Sequence, residues 1–84
     1  MTRVQVFVQL KPGLLDPQGE TIRHALESLG HEGVSNLRVG KWITFGLAET
    51  DREAAGHEVE EMCERLLANP VIESFEYRIE DDGR

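Results

Sequence analysis

The sequence predicts an α+β domain with the element order β-α-β-β-α-β. Three observations carry this reading. Apolar residues alternate at period two near both ends and in the middle of the chain, two stretches switch to helical spacing, and turn residues punctuate the switches. At 84 residues a single domain, 1–84, is expected. A chain this short buries only about 60–65% of its unfolded surface, so its core is thin and self-association helps it.

Val4, Val6, Val8 and Leu10 alternate with Arg3, Gln5, Phe7 and Gln9, which reads as a strand with Phe7 on the face opposite the valines. Residues 17–29 place Ile22, Ala25, Leu26 and Leu29 on one helical stripe, and Gly30 is suited to end it in the left-handed conformation. Residues 34–39 read as a second strand and Gly40-Lys41 as a two-residue hairpin turn, with a return strand over 42–48. There Ile43, Phe45 and Leu47 share one face, and Trp42, Thr44 and Gly46 the other. Thr50-Asp51-Arg52-Glu53 resembles a capping box, with Thr50 as the cap. The helix after it carries Ala55, Val59, Met62, Cys63, Leu66 and Leu67 at helical spacing, and Asn69-Pro70 ends it. A last strand spans 71–79, and the acidic tail 80–84 is expected to fray.

This order is the split βαβ pattern of ferredoxin-like domains. Right-handed crossovers then give an antiparallel four-stranded sheet with two helices on one face. Phe7, Trp42 and Ile72 fall on the uncovered face, and the expectation is association between copies through the sheet.

Connecting the first strand to the first helix is the most distinctive segment, Leu10-Lys11-Pro12-Gly13-Leu14-Leu15-Asp16-Pro17-Gln18-Gly19-Glu20. Pro12-Gly13 presets a tight turn, while Asp16-Pro17 reads as a helix cap followed by the first helical residue. Leu14 and Leu15 are held between them. They either plug the end of the domain's own core or form a preformed surface for a partner; the residues alone favour the core plug.

Composition excludes several functions. Sixteen acidic against nine basic residues give a formal charge of −7, contrary to nucleic-acid binding or a polybasic membrane anchor. The apolar runs are too short to span a bilayer. Met1 leads directly into a strand pattern, and the single Cys63 has no partner for an intrachain disulfide, so a cytoplasmic protein is expected.

Catalytic residues are not evident. Cys63 lies on the apolar stripe, where Met62, Leu66 and Leu67 are expected to bury it and make it inert. His57 with Glu61, and His24 with Glu20, supply two potential ligands each, too few to close a metal site. The glycines lack the spacing and lysine of a phosphate loop, and Lys11 alone is a poor substitute for the basic loop of an acylphosphatase-like site. Phe7 and Trp42 offer aromatic surface, but without the basic surroundings of an RNA-binding sheet. No cofactor is expected. Arg38-Val39-Gly40-Lys41 is the one compact basic feature, suited to a phosphate or an acidic partner surface, although the residues slightly favour a solvated turn.

Across nearly its whole length the chain resembles the PurS family, the small subunits of phosphoribosylformylglycinamidine synthase in de novo purine biosynthesis. The resemblance rests on residues 10–19, on Ala25-Leu26-Glu27-Ser28-Leu29-Gly30, on Arg38-Val39-Gly40-Lys41 and on residues 62–73. It implies a subunit with no catalytic site of its own. Such a subunit joins a glutaminase (PurQ) that releases ammonia to an ATP-dependent synthetase (PurL), and supports ammonia transfer between them. It also moves the reading of the loop toward a partner contact formed by Lys11, Pro12, Gly13, Leu14, Leu15, Asp16 and Pro17, with Arg38 and Lys41 beside them. The expected partners are PurL-like and PurQ-like subunits and a second copy of the chain, as a homodimer or a dimer of dimers. The alternatives are a ferredoxin-like regulatory domain that binds a small molecule and, less in keeping with the residues, an independent small enzyme.

Overall fold

The structure, a computed structural model, describes residues 2–81; Met1 and residues 82–84, which include most of the acidic tail, lie outside it. Its elements are β1 (Thr2–Leu10), α1 (Pro17–Ser28), β2 (Gly40–Leu47), α2 (Arg52–Met62), which continues into a π-helical turn (Cys63–Leu67), and β3 (Glu73–Asp81). The strands form an antiparallel sheet in the order β2-β1-β3.

β1 is central, and its alternation organises the core. Val4 pairs with Phe45 and Ile79, Val6 with Ile43 and Tyr77, and Val8 with Lys41 and Phe75. All three valines are buried, and Val59 and Cys63 of the α2 segment close over them. The Tyr77 hydroxyl donates to Glu60 (2.7 Å) and ties α2 to β3.

Three strands are found among the described residues where four were expected. Residues 34–39 form no strand. Asn36 is left-handed (φ 57°), and the Val39 N–H donates to the Asp16 carboxylate rather than to a ladder. Gly40 and Lys41 are not a hairpin turn; they open β2, opposite Gln9 and Val8. Gly40 serves close approach, since a Cβ there would lie 2.5 Å from the Val8 carbonyl oxygen.

The helices also differ from expectation. Only α2 covers the valine face, and no residue of α1 belongs to the core cluster of the described residues. The start of α1 is held at the end of the sheet, so its 12 residues run outward for about 18 Å. Along its stripe Ile22 and Leu29 remain 41% and 75% exposed. The result is a molecule of 48 × 30 × 14 Å with a radius of gyration of 16.3 Å. A compact chain of this length has about 12 Å. Gly30 ends α1 as expected, with φ 100° and the paired bonds of a Schellman turn, Gly30 N–H to Glu27 C=O and His31 N–H to Leu26 C=O.

Asp51, not Thr50, caps α2, accepting from the Ala54 N–H at 3.1 Å. At the other end, the Ala68 N–H reaches the Cys63 carbonyl, a π-type bond that widens the last turn. The widening rotates the helix face: Cys63 and Ala68 are buried, whereas Leu66, expected on the apolar stripe, is 82% exposed. Asn69 and Pro70 then lead through a turn that includes Val71 and Ile72, so β3 begins two residues later than expected, at Glu73.

Val6→Ala should lower unfolding stability by about 2–3 kcal/mol, from lost burial plus the cavity left behind. Leu66→Ser should shift it by no more than about 0.5 kcal/mol, as at other exposed sites. Chemical denaturation checks both, and a large loss for Leu66→Ser would contradict the rotated face.

Candidate functional site

β1 delivers its C-terminal end to the loop 11–16, and the chain returns beside that loop at residues 37–39 just before β2. The Lys11 N–H donates to the Ile72 carbonyl (2.9 Å), which extends the β1–β3 ladder into the loop. Pro12 and Gly13 then form the middle of a β-turn. Gly13 has φ 89°, and the Leu14 N–H reaches the Lys11 carbonyl at 3.2 Å. This is type II geometry, with proline presetting the first central φ and glycine supplying the positive second one.

Asp16 closes the loop. Its Oδ1 accepts from the Gly19 N–H (3.0 Å) as the α1 cap, and its Oδ2 accepts from the Val39 N–H (2.8 Å). One carboxylate thus joins the start of α1 to the entry of β2 and is itself buried. The packing is tight: a Cβ at Gly19 would stand 2.7 Å from the Leu37 carbonyl oxygen. The Val39 amide foremost, then the Gly19 amide, with the Arg38 charge assisting, hold the Asp16 carboxyl below its ordinary value of 3.8.

Arg38 spans the turn. Its Nη1 donates to the Leu14 carbonyl (2.9 Å) and its Nη2 to the Lys11 carbonyl (3.2 Å). The structure therefore brings together Lys11, Pro12, Gly13, Leu14, Leu15, Asp16, Pro17 and Arg38 at one end of the sheet. Lys41 lies one step along β2 and lines the same groove as Asp16 and Pro17. Leu15 is 76% exposed and Leu14 39%, so neither plugs the core. The amide of Val39, which makes the junction, carries no side-chain signal by which a sequence reading finds it.

On the uncovered sheet face Phe7 and Trp42 are cross-strand partners with stacked rings, 6.3 Å between centroids and 4° between planes. Trp42 Nε1 donates to Gln5 Oε1 (3.1 Å), and the Arg78 guanidinium lies 5.7 Å from the Phe7 ring centroid. Ile72 lies in the turn before β3 rather than in the strand, 40% exposed. Cys63 is buried beneath α2, and that burial, reinforced by Glu64 and Glu60, pushes its thiol pKa up.

A depressed Asp16 carboxyl stabilises the junction fully above its unfolded value, and this contribution is lost as pH falls through the lower folded value. Below about pH 4, amide exchange at Gly19 and Val39 should therefore accelerate beyond the intrinsic pH effect. Asp16→Asn should abolish that excess, and NMR exchange rates followed from about pH 6, where the carboxyl is ionised in both states, down through the acid range below about pH 4 check it.

Comparison with known proteins gives a consistent result. The family profile PurS, phosphoribosylformylglycinamidine (FGAM) synthase, matches residues 3–81. The phosphoribosylformylglycinamidine synthase subunit PurS of Bacillus subtilis is 43% identical over 81 residues, covering 96% of this chain and 95% of that protein. Its counterpart in Methanocaldococcus jannaschii is 41% identical over 80 residues, covering 95% and 96%. Among solved structures, B. subtilis PurS superposes with a TM-score of 0.87 at 43% identity, covering 96% of this chain and 100% of that one. A chain from the structure of PurLQS of Thermotoga maritima superposes with a TM-score of 0.84 at 34% identity, covering 95% and 99%. The match in sequence and in fold runs along almost the entire length, and this chain belongs to the PurS family of phosphoribosylformylglycinamidine synthase.

Proposed function

We propose that this chain is the small accessory subunit of phosphoribosylformylglycinamidine synthase in de novo purine biosynthesis. It joins a PurL-like synthetase to a PurQ-like glutaminase and supports ammonia transfer between them. The observation that carries the reading is the near-complete likeness to PurS subunits, including a chain of the PurLQS structure. The site geometry is in keeping with it: a pinned loop that presents apolar side chains outward serves docking. Pro12, Gly13 and Pro17 limit the shapes the loop can take, so less entropy is lost when it binds. Lys11 and Lys41 give the docking surface its charged border, while the buried Asp16 and the carbonyl-bound Arg38 hold the loop itself. The reaction belongs to the synthetase and glutaminase, with ATP consumed there, in the cytoplasm.

Self-association is the second part of the proposal. The exposed stripe of α1 and the Phe7–Trp42 face are apolar surfaces that a second copy covers, giving a homodimer or a dimer of dimers. Ile72, lying in the turn, contributes at the edge of that contact. No helix among the described residues is long and apolar enough to cross a membrane.

Glutamine-dependent amidine formation should appear when the chain is mixed with its PurL and PurQ partners. The chain alone, given glutamine, ATP and formylglycinamide ribonucleotide, should form none above a heat-treated control. Leu14→Ser combined with Leu15→Ser should leave the chain folded and weaken glutamine-dependent synthesis; full activity would remove the loop from the interface. In sedimentation at micromolar concentration the wild type should exceed the monomer mass. Trp42→Glu should weaken its assembly at least about tenfold, as for a central aromatic anchor. A wild-type monomer would overturn the self-association reading.

A further inference from the structure

From the sequence, Arg38 reads as part of a solvated basic turn or of a surface for a phosphate or an acidic partner. The structure gives its guanidinium a different use. Nη2 and Nη1 donate to the Lys11 and Leu14 carbonyls, the first and last residues of the Pro12-Gly13 turn. The Lys11 oxygen also accepts the turn's own bond from the Leu14 N–H, so its two lone pairs are both engaged. The planar fork bridges the turn from outside while the Leu14 N–H closes it from within. The next residue along the return segment, Val39, fastens the other end of the loop through Asp16. Two consecutive residues, 38 and 39, thereby hold both ends of the loop 11–16.

Such bonds contribute little to folding stability. The two carbonyls sit in an exposed loop, where water replaces an arginine donor at small net cost. The core residues Val4, Val6, Val8, Val59 and Cys63 are a separate cluster that does not include Arg38. The bridge is anchored on the Leu14 carbonyl, immediately before the 76%-exposed Leu15.

We propose that Arg38 is a positioning residue for assembly: its guanidinium staples the turn of residues 11–14, so that Leu14 and Leu15 meet an apolar cleft of the synthetase–glutaminase pair as a preformed anchor. This rests on the docking reading of the loop. A loop that is competent only part of the time binds with an affinity reduced by that fraction. Removing the staple therefore acts on the concentration of subunit needed, not on the rate once the complex is filled. Lysine cannot replace the fork, because a single ammonium does not span two carbonyls in fixed geometry.

The experiment compares Arg38→Ala, Arg38→Lys, the Leu14→Ser/Leu15→Ser pair and the triple variant in the reconstituted complex, alongside amide exchange of the isolated chain. For Arg38→Ala the Leu14 amide should exchange about tenfold faster, and the subunit concentration at half-maximal glutamine-dependent activity should rise about five- to twentyfold, with the saturating rate unchanged. Exchange at Val6 should not change. Arg38→Lys should recover less than half of the shift. Adding Arg38→Ala to the leucine pair should cost little more than the pair alone, because both act through one anchor.

A normal midpoint for Arg38→Ala beside a raised one for the leucine pair overturns the staple and leaves the loop as an interface. Fully additive shifts mean that Arg38 touches the partner directly, which also overturns it. Loss of protection at Val6 makes Arg38 a stability residue and ends the proposal. A leucine pair with normal midpoint and rate removes the docking reading itself, and the staple with it.

Discussion

β1 is hydrogen-bonded along both edges, and the rest of the molecule follows from that constraint. Its side-chain parity places Val4, Val6 and Val8 under α2 and Phe7 on the opposite face. A slip by one residue against either neighbour would exchange those faces and place Phe7 in a core built for valines. Because β1 is central, its last residue leaves the sheet between the start of β2 and the start of β3. The Lys11 amide continues the pairing onto Ile72, so the loop begins from a fixed point. The loop is thus rigid at its root for the same reason that the core is closed.

The Asp16 carboxylate has a comparable role outside the sheet. It satisfies one free N–H at the start of α1 and one at the entry of β2, and so decides where α1 points. The helix leaves the sheet's end instead of lying back over β2. That geometry leaves Ile22 and Leu29 in water and Ile43, Phe45 and Leu47 only half-buried. A chain with this much uncovered apolar surface gains stability from neighbours. The −7 charge keeps such a surface from indiscriminate association.

Much of the architecture was legible in local patterns. Alternating valines marked β1, the i, i+3, i+4 stripe marked α1, Asp16-Pro17 marked its start and Gly30 its end. Each of these signals expresses a rule that operates within one or two turns of chain. The loop 11–16 was recognisable as constrained, yet whether its leucines faced in or out was open until their exposure was known. Arg38 read as a basic surface residue, and its engagement with carbonyls 24 and 27 residues away left no trace in its neighbours.

The sequence by itself determined the type and order of the strands and helices that exist, which face of β1 is apolar, and where α1 is capped. It also determined the family, because residues along the whole chain carry that likeness. Tertiary structure alone decided four matters. Residues 34–39 form no strand, and the Val39 amide donates to Asp16. Gly40 lies in β2, because a neighbouring backbone comes within 2.5 Å of where a Cβ would be, not because a turn needs positive φ. Leu66 faces water, because the π-helical turn of residues 63–67 re-phases the helix. The loop's leucines are exposed, in a loop held by Arg38 at the Leu14 carbonyl and by the Val39 amide at Asp16, contacts that span 24 and 23 residues. In each case the deciding contact joins groups that local periodicity does not register: a backbone atom, or a side chain far along the sequence.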